Sequence, residues 1–228
     1  MRLSALLARR EWLLGVWAAS ATFLAYCCMY MFRKPFTAGT YTDMLWLRLD
    51  YKTILVIAQV LGYALSKFIG IKAISELQPG RRIRMFLLLI FLAWMALVGF
   101  AFSSAQIGPL WLFANGLPLG MIWGIVFTYC EGRRLTEVLT VILSANFILS
   151  SGLAKTFGRW VLQMGYAEQM MPMLVGAAVF PVLGLALWML SQIPPPGEEE
   201  VQARAAREPM SAADRRGLLR QYGVPVSL

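Results

Sequence analysis

Three stretches of this sequence set cations inside otherwise apolar runs. In Tyr26-Cys-Cys-Met-Tyr30-Met-Phe-Arg33-Lys34-Pro35-Phe36, the residues Tyr26, Tyr30 and Arg33 fall at i, i+4 and i+7. That spacing puts two phenols and a guanidinium on one helix face. Gln59, Tyr63 and Lys67 repeat at intervals of four, and Ser151, Lys155 and Arg159 do the same, with Gly152 placed to let a neighbouring helix approach. A cation in hydrocarbon costs several kcal/mol, so such residues face a bundle interior or a water-filled path.

The chemistry these cations suit is anion recognition. The 12 acidic residues all lie in loops, in the tail or at the ends of apolar runs, and none sits mid-run opposite Arg33, Lys67 or Lys155. Buried charges require partners, so the missing counter-charge is expected to be a bound anion. A guanidinium fork matches phosphate or carboxylate oxygens. Arg33 and Lys67 are therefore the main candidate ligands, with Lys155 as a supporting charge, Lys34 as a neighbour, and Tyr30, Tyr63 and Gln59 as neutral liners. Lys67 lies roughly 12 Å by helix rise from the far end of its run, too deep for a simple interfacial lysine. Arg159, beside Trp160, reads as an interfacial anchor instead.

A fourth stretch, Asn115-Gly116-Leu-Pro118-Leu-Gly120-Met-Ile-Trp123-Gly124, carries glycines at every fourth position. They form a smooth face for close helix packing, while Pro118 permits a kink. Asn115 and Trp123, eight apart, are candidate cavity liners. Histidine is absent, and Cys27, Cys28 and Cys130 follow no disulfide or metal spacing. No phosphate-binding glycine loop, nucleophile elbow or metal cluster occurs, so neither enzymatic activity nor a cofactor is expected. A proton relay through these segments is disfavoured too, since such relays use Asp, Glu or His.

The elements that must position these residues are membrane helices. Of the 228 residues, 59% are hydrophobic and 14% charged, against about 25% charged in soluble domains. The mean hydropathy is +0.62. Six apolar runs are long enough to span a bilayer: 13–32, 53–75, 85–102, 109–129, 138–162 and 172–193. They lack the alternation of barrel strands, so an all-α bundle is expected. A single cleaved leader does not explain the first run, which is too long and has no small-x-small site after it.

Charge placement orients the bundle. With the N-terminus inside, the cytoplasmic segments hold Arg2, Arg9, Arg10, Lys72, Arg81, Arg82, Arg84, Arg133, Arg134 and the arginines of the tail, while the outer loops hold Arg48 and Lys52. This asymmetry predicts an N-in, C-in topology. It also accounts for the net charge of +9 without nucleic acid as a partner. The expected organisation is a cytoplasmic N-terminus (1–12), a six-helix bundle (13–193) and a cytoplasmic tail (194–228). That tail opens with Pro194-Pro195-Pro196-Gly197-Glu198-Glu199-Glu200, a stiff, charged exit. Within it, 203–219 reads either as a short amphipathic helix or as a disordered linker.

Six N-in spans followed by a charged linker resemble the first half of a major facilitator superfamily transporter. Tyr30-Met-Phe-Arg33-Lys34-Pro-Phe36, Gly62-Tyr63-Ala-Leu-Ser66-Lys67-Phe68, and Asn115-Gly116 with Gly120 and Trp123 resemble segments of its organophosphate:phosphate antiporter group. The whole is more similar still to an uncharacterised bacterial membrane family in that superfamily. The resemblance implies that Arg33 binds substrate phosphate and that Lys67 lines the same pore, in a bacterial inner membrane. The superfamily's loop after the second span is degenerate here, with Gly70 and Gly80-Arg81-Arg82 but no Asp, and Lys155 matches no antiporter position. Alternating access needs two six-helix halves, so the chain is expected either to be the first half of a longer carrier or to pair with a second copy. The competing expectation is a non-transporting membrane anchor or assembly subunit, whose basic tail binds lipid or a partner.

Overall fold

The computed structural model describes residues 3–42, 45–46, 49–75, 77–131 and 136–195. The 203–219 segment, Arg48, Arg133 and Arg134 lie outside the described residues. The described helices all belong to one compact unit, Met1–Pro195. They are α1 (Leu3–Arg9), α2 (Glu11–Arg33), α3 (Tyr51–Ser75), α4 (Arg82–Phe102), α5 (Gly108–Phe127), α6 (Thr136–Gln163) and α7 (Met171–Ser191). Six of these, α2 to α7, are long and apolar enough to cross a membrane. Each lies within a few residues of an expected span. The seven-residue α1 and a small antiparallel ladder pairing Leu45 with Asp50 and Trp46 with Leu49 were not foreseen from the sequence.

Local chemistry sets the helix ends. Asp50 Oδ2 accepts hydrogen bonds from the Thr53 amide (2.8 Å) and hydroxyl (2.7 Å), a side-chain cap at the start of α3. Prolines open the first turns of α5 and α7, where their missing amide leaves nothing unsatisfied. At the other extreme, Lys34 keeps helical dihedrals and donates to the Tyr30 carbonyl, but Pro35 has no amide to continue the ladder, so α2 stops at Arg33 and the chain passes into a 3-10 turn over Pro35–Ala38.

Packing follows the small residues. α3 and α5 lie closest together: a Cβ on Gly116 would strike the Gln59 carbonyl oxygen and the Tyr63 amide, and one on Gly62 would strike the Phe113 carbonyl. Gly120 likewise faces Ser66, whose Cβ is 2.8 Å from that virtual atom. The expected close-packing face of α5 is therefore real, and its partner is α3. Gly152 differs from expectation: a Cβ there meets nothing within 4 Å among the described residues, so no described helix approaches it. α2 and α5 bury half of their most apolar window, whereas α3 and α6 bury 28%; the first pair is interior and the second flanks it. The main core joins Tyr26, Met29 and Phe32 of α2 to Ile90 and Leu97 of α4, Ile122 of α5 and Leu183 of α7.

The two ends of the bundle are tied differently. At one end, the Thr40 and Tyr41 amides each donate to the Glu168 carboxylate at 2.6 Å, joined by the Thr40 hydroxyl at 2.9 Å. This clamps the segment after α2 to the α6–α7 connection. Tyr41 holds a positive φ of 52° within the clamp. At the opposite end, Trp17 Nε1 donates to the Met189 carbonyl at 3.0 Å, and Arg82 begins α4. These are called below the Glu168 end and the Arg82 end.

Candidate functional site

Arg33 is the last residue of α2, yet its charge does not leave the bundle. Helix side chains tilt toward the N-terminus of their own helix, so the guanidinium reaches back along the bundle. Its Cζ lies 3.8 Å from the Tyr63 ring centroid and 5.7 Å from that of Tyr30. Tyr63 stands roughly 18 Å by helix rise from the start of α3, which measures how deep the charge is held. One turn further, Lys67 Nζ lies 5.1 Å from the same Tyr63 ring. Two cations thus share one phenol.

Around them is an aromatic box. Tyr26 meets Tyr30 edge-on at 5.5 Å, and Phe147 of α6 contacts both, at 5.4 and 6.3 Å. The Tyr26 hydroxyl comes near Tyr63 but makes no well-formed hydrogen bond, and Arg33 Nε is also buried without a partner. Cation–π contacts of this kind contribute about 0.5–2 kcal/mol each, which offsets part of the desolvation cost without supplying negative charge. The carboxylates within the described spans are Glu11 and Glu137, in the first turns of α2 and α6, near the Arg82 end and far from this cluster. What the arrangement can do chemically is hold an anion.

Lys34 and Lys155 extend the positive field. Burial first, then the charges of Arg33 and Lys155, hold the Lys34 ammonium below its ordinary value. Lys34 therefore feels both Arg33 and Lys155 across the end of α2. Lys67, Lys155 and Arg159 are exposed on this bundle, whereas Arg33 and Lys34 are partly buried.

Gln59 and Asn115 occupy a different place from the liners anticipated. Both are buried, and their amides face each other and the backbone. Gln59 Nε2 donates to the Arg33 carbonyl and to Asn115 Oδ1, both at 2.8 Å. Asn115 Nδ2 donates to the carbonyls of Phe32 (3.2 Å) and Ala93 (2.9 Å). These two amides join four helices at the level where α2 ends: Gln59 holds the carbonyl of Arg33 itself, and Asn115 holds Gln59 and the carbonyl of Phe32. They position the arginine. Trp123, the other candidate liner of this stretch, stacks on Phe127 at 4.9 Å and 12°, two turns nearer the Arg82 end, where it lines a cavity.

A family profile described as "Family of unknown function (DUF5690)" matches residues 35–228. The chain belongs to that family. No curated protein and no solved structure matches it. The matched span includes Tyr63, Lys67 and Lys155, and it begins one residue after Lys34, so Arg33 lies just outside it.

Two features of this family member were not read from the sequence. Phe147 gave no signal, because a phenylalanine in an apolar run looks like any lipid-facing residue. Arg82 looked like an ordinary loop charge, although its Nε is buried without a hydrogen-bond partner and its Cζ lies 5.7 Å from the Tyr129 ring.

Proposed function

We propose that this chain is one six-helix body of a secondary transporter that moves a small anion, phosphorylated or otherwise oxyanionic, by alternating access. One observation carries this reading: Arg33 and Lys67 share the Tyr63 ring inside a bundle of membrane-length helices, with no carboxylate in that part of the spans. A pair of like charges on one phenol, with Arg33 partly buried and its Nε without a hydrogen-bond partner, supports a ligand site that takes a counter-charge. The motif resemblance to organophosphate:phosphate antiporters points the same way for Arg33 and Lys67.

In this proposal the Arg82 end, with Arg81, Arg82 and Arg84, faces the cytoplasm of a bacterial cell, in line with the positive-inside rule. A second six-helix body, from further chain or a second copy, covers a face that takes in the exposed Lys67 and Lys155. Charges on that face are costly against lipid but acceptable along a water-filled path between two bodies. The test is direct binding to the full chain in lipid nanodiscs by titration calorimetry. Saturable binding of inorganic phosphate, weakened by added salt, is expected. If phosphate, sulfate and benzoate all fail to bind saturably, the proposal is wrong.

A further inference from the structure

A cavity of about 580 Å³ opens between the last two turns of α3 and α5 at the Arg82 end. Lys67 stands at one limit, and Arg82, Thr128 and the carboxylate Glu131 stand at the other, while Trp123 and Phe127 form the wall between, so an anionic group is favoured only at the Lys67 limit. The two rings are nearly parallel and both half-buried. Gly120 and Gly124 keep the α5 side low. By helix rise, Lys67 and the end of α3 at Ser75 are roughly 12 Å apart. The volume falls in the range of about 300–1,000 Å³ typical of sites for organic ligands, far more than an inorganic ion fills.

Lys67 belongs to both places, because its ammonium also lies at the Tyr63 ring that carries Arg33. The cavity thus borders the cation cluster at one shared residue, Lys67. Resting on the anion-transport reading above, the geometry points to the substrate class: an organic anion with an apolar, ring-sized body. Its charged group sits at Lys67 and Arg33, and its body lies against Trp123 and Phe127. A phospholipid tail is a poorer occupant, since charged residues stand at both limits of the cavity, Lys67 at one and Arg82 with Glu131 at the other.

The full chain in nanodiscs is titrated with phenyl phosphate and with inorganic phosphate. Phenyl phosphate should bind roughly ten- to a hundredfold tighter, the gain expected from burying one ring. F127A should reduce that ratio to within about threefold while leaving phosphate affinity unchanged, because a lost aromatic wall removes only the body's contacts. Should F127A lose phosphate binding as well, W123F is read instead: it must bind phenyl phosphate yet lose the ligand-induced change in tryptophan fluorescence seen in the parent chain. R33Q, by contrast, should weaken both anions together. Equal affinities in the parent chain, an undiminished ratio in F127A, or an unchanged fluorescence response in W123F overturns the inference while phosphate binding still stands. A tightly held phospholipid that phenyl phosphate fails to displace, and that R82Q releases, overturns it in favour of a lipid site. Binding of neither anion overturns it along with the transport reading beneath it.

Discussion

Replacing Arg33 with glutamine tests the site most sharply, because binding and stability are expected to move apart. A bidentate guanidinium–oxyanion pair makes two charge-assisted hydrogen bonds of about 1.5–3 kcal/mol each. Losing both should weaken phosphate binding by roughly 10²–10⁴-fold. R33K keeps the charge and loses the fork, so about a tenfold loss or more is expected. Stability should behave oppositely. Arg33 has ring contacts at 3.8 and 5.7 Å and a buried Nε without a partner. Its removal forfeits cation–π contacts of about 0.5–2 kcal/mol each, against relief of a desolvation cost of several kcal/mol. The apo protein should therefore melt at the same temperature or higher. Calorimetric titration with phosphate and thermal unfolding in the same nanodiscs supply both numbers. If R33Q binds within a factor of two of the parent chain, or melts clearly lower with binding intact, then Arg33 is a structural ion and the reasoning fails.

Three further predictions come from the packing. N115A removes one accepted and two donated hydrogen bonds; at the average of about 0.6 kcal/mol measured for such bonds in bilayers, the loss is ~2 kcal/mol, readable by unfolding in mixed micelles, and a change under about 0.5 kcal/mol would sink the positioning role. G116A should cost about 1–3 kcal/mol by forcing a methyl into the α3 backbone, whereas G152A, which meets open space, should be neutral or stabilising by up to about 1 kcal/mol; equal effects in paired melts would contradict the observed α3–α5 contact. Finally, burial first, then Glu168 and Tyr51, hold the Tyr41 phenol above its ordinary value of 10.0. Folded and unfolded chains both keep the proton below that value, and above it only the unfolded chain readily releases it, so stability falls as pH rises past about 10. Y41F should flatten the alkaline part of a melting-temperature profile, and an unaltered slope would show that Tyr41 is not the titrating group.

Much of the architecture is legible in the sequence because each membrane span must satisfy its own backbone and match the bilayer thickness. Length and hydropathy therefore locate α2 to α7 to within a few residues, and the glycine period at 116, 120 and 124 reveals a face for close packing. Helical spacing also groups Tyr30 with Arg33 and Tyr63 with Lys67, since i+3 and i+4 neighbours meet whatever the tertiary fold. Relations between helices are a different matter. Periodicity carries no information on which two stripes face each other, and only the tertiary packing brings Arg33 of α2 to 3.8 Å from Tyr63 of α3. The same packing turns Gln59 and Asn115 from expected liners into paired amides that hold the carbonyls of Arg33 and Phe32, and it leaves Gly152 facing open space. It also sets Trp123 and Phe127, four apart on α5, beside a cavity against α3. Helix-local chemistry is written in one dimension; the juxtaposition of two cations on one phenol, and the cavity that borders it, exist only once α2, α3 and α5 have packed.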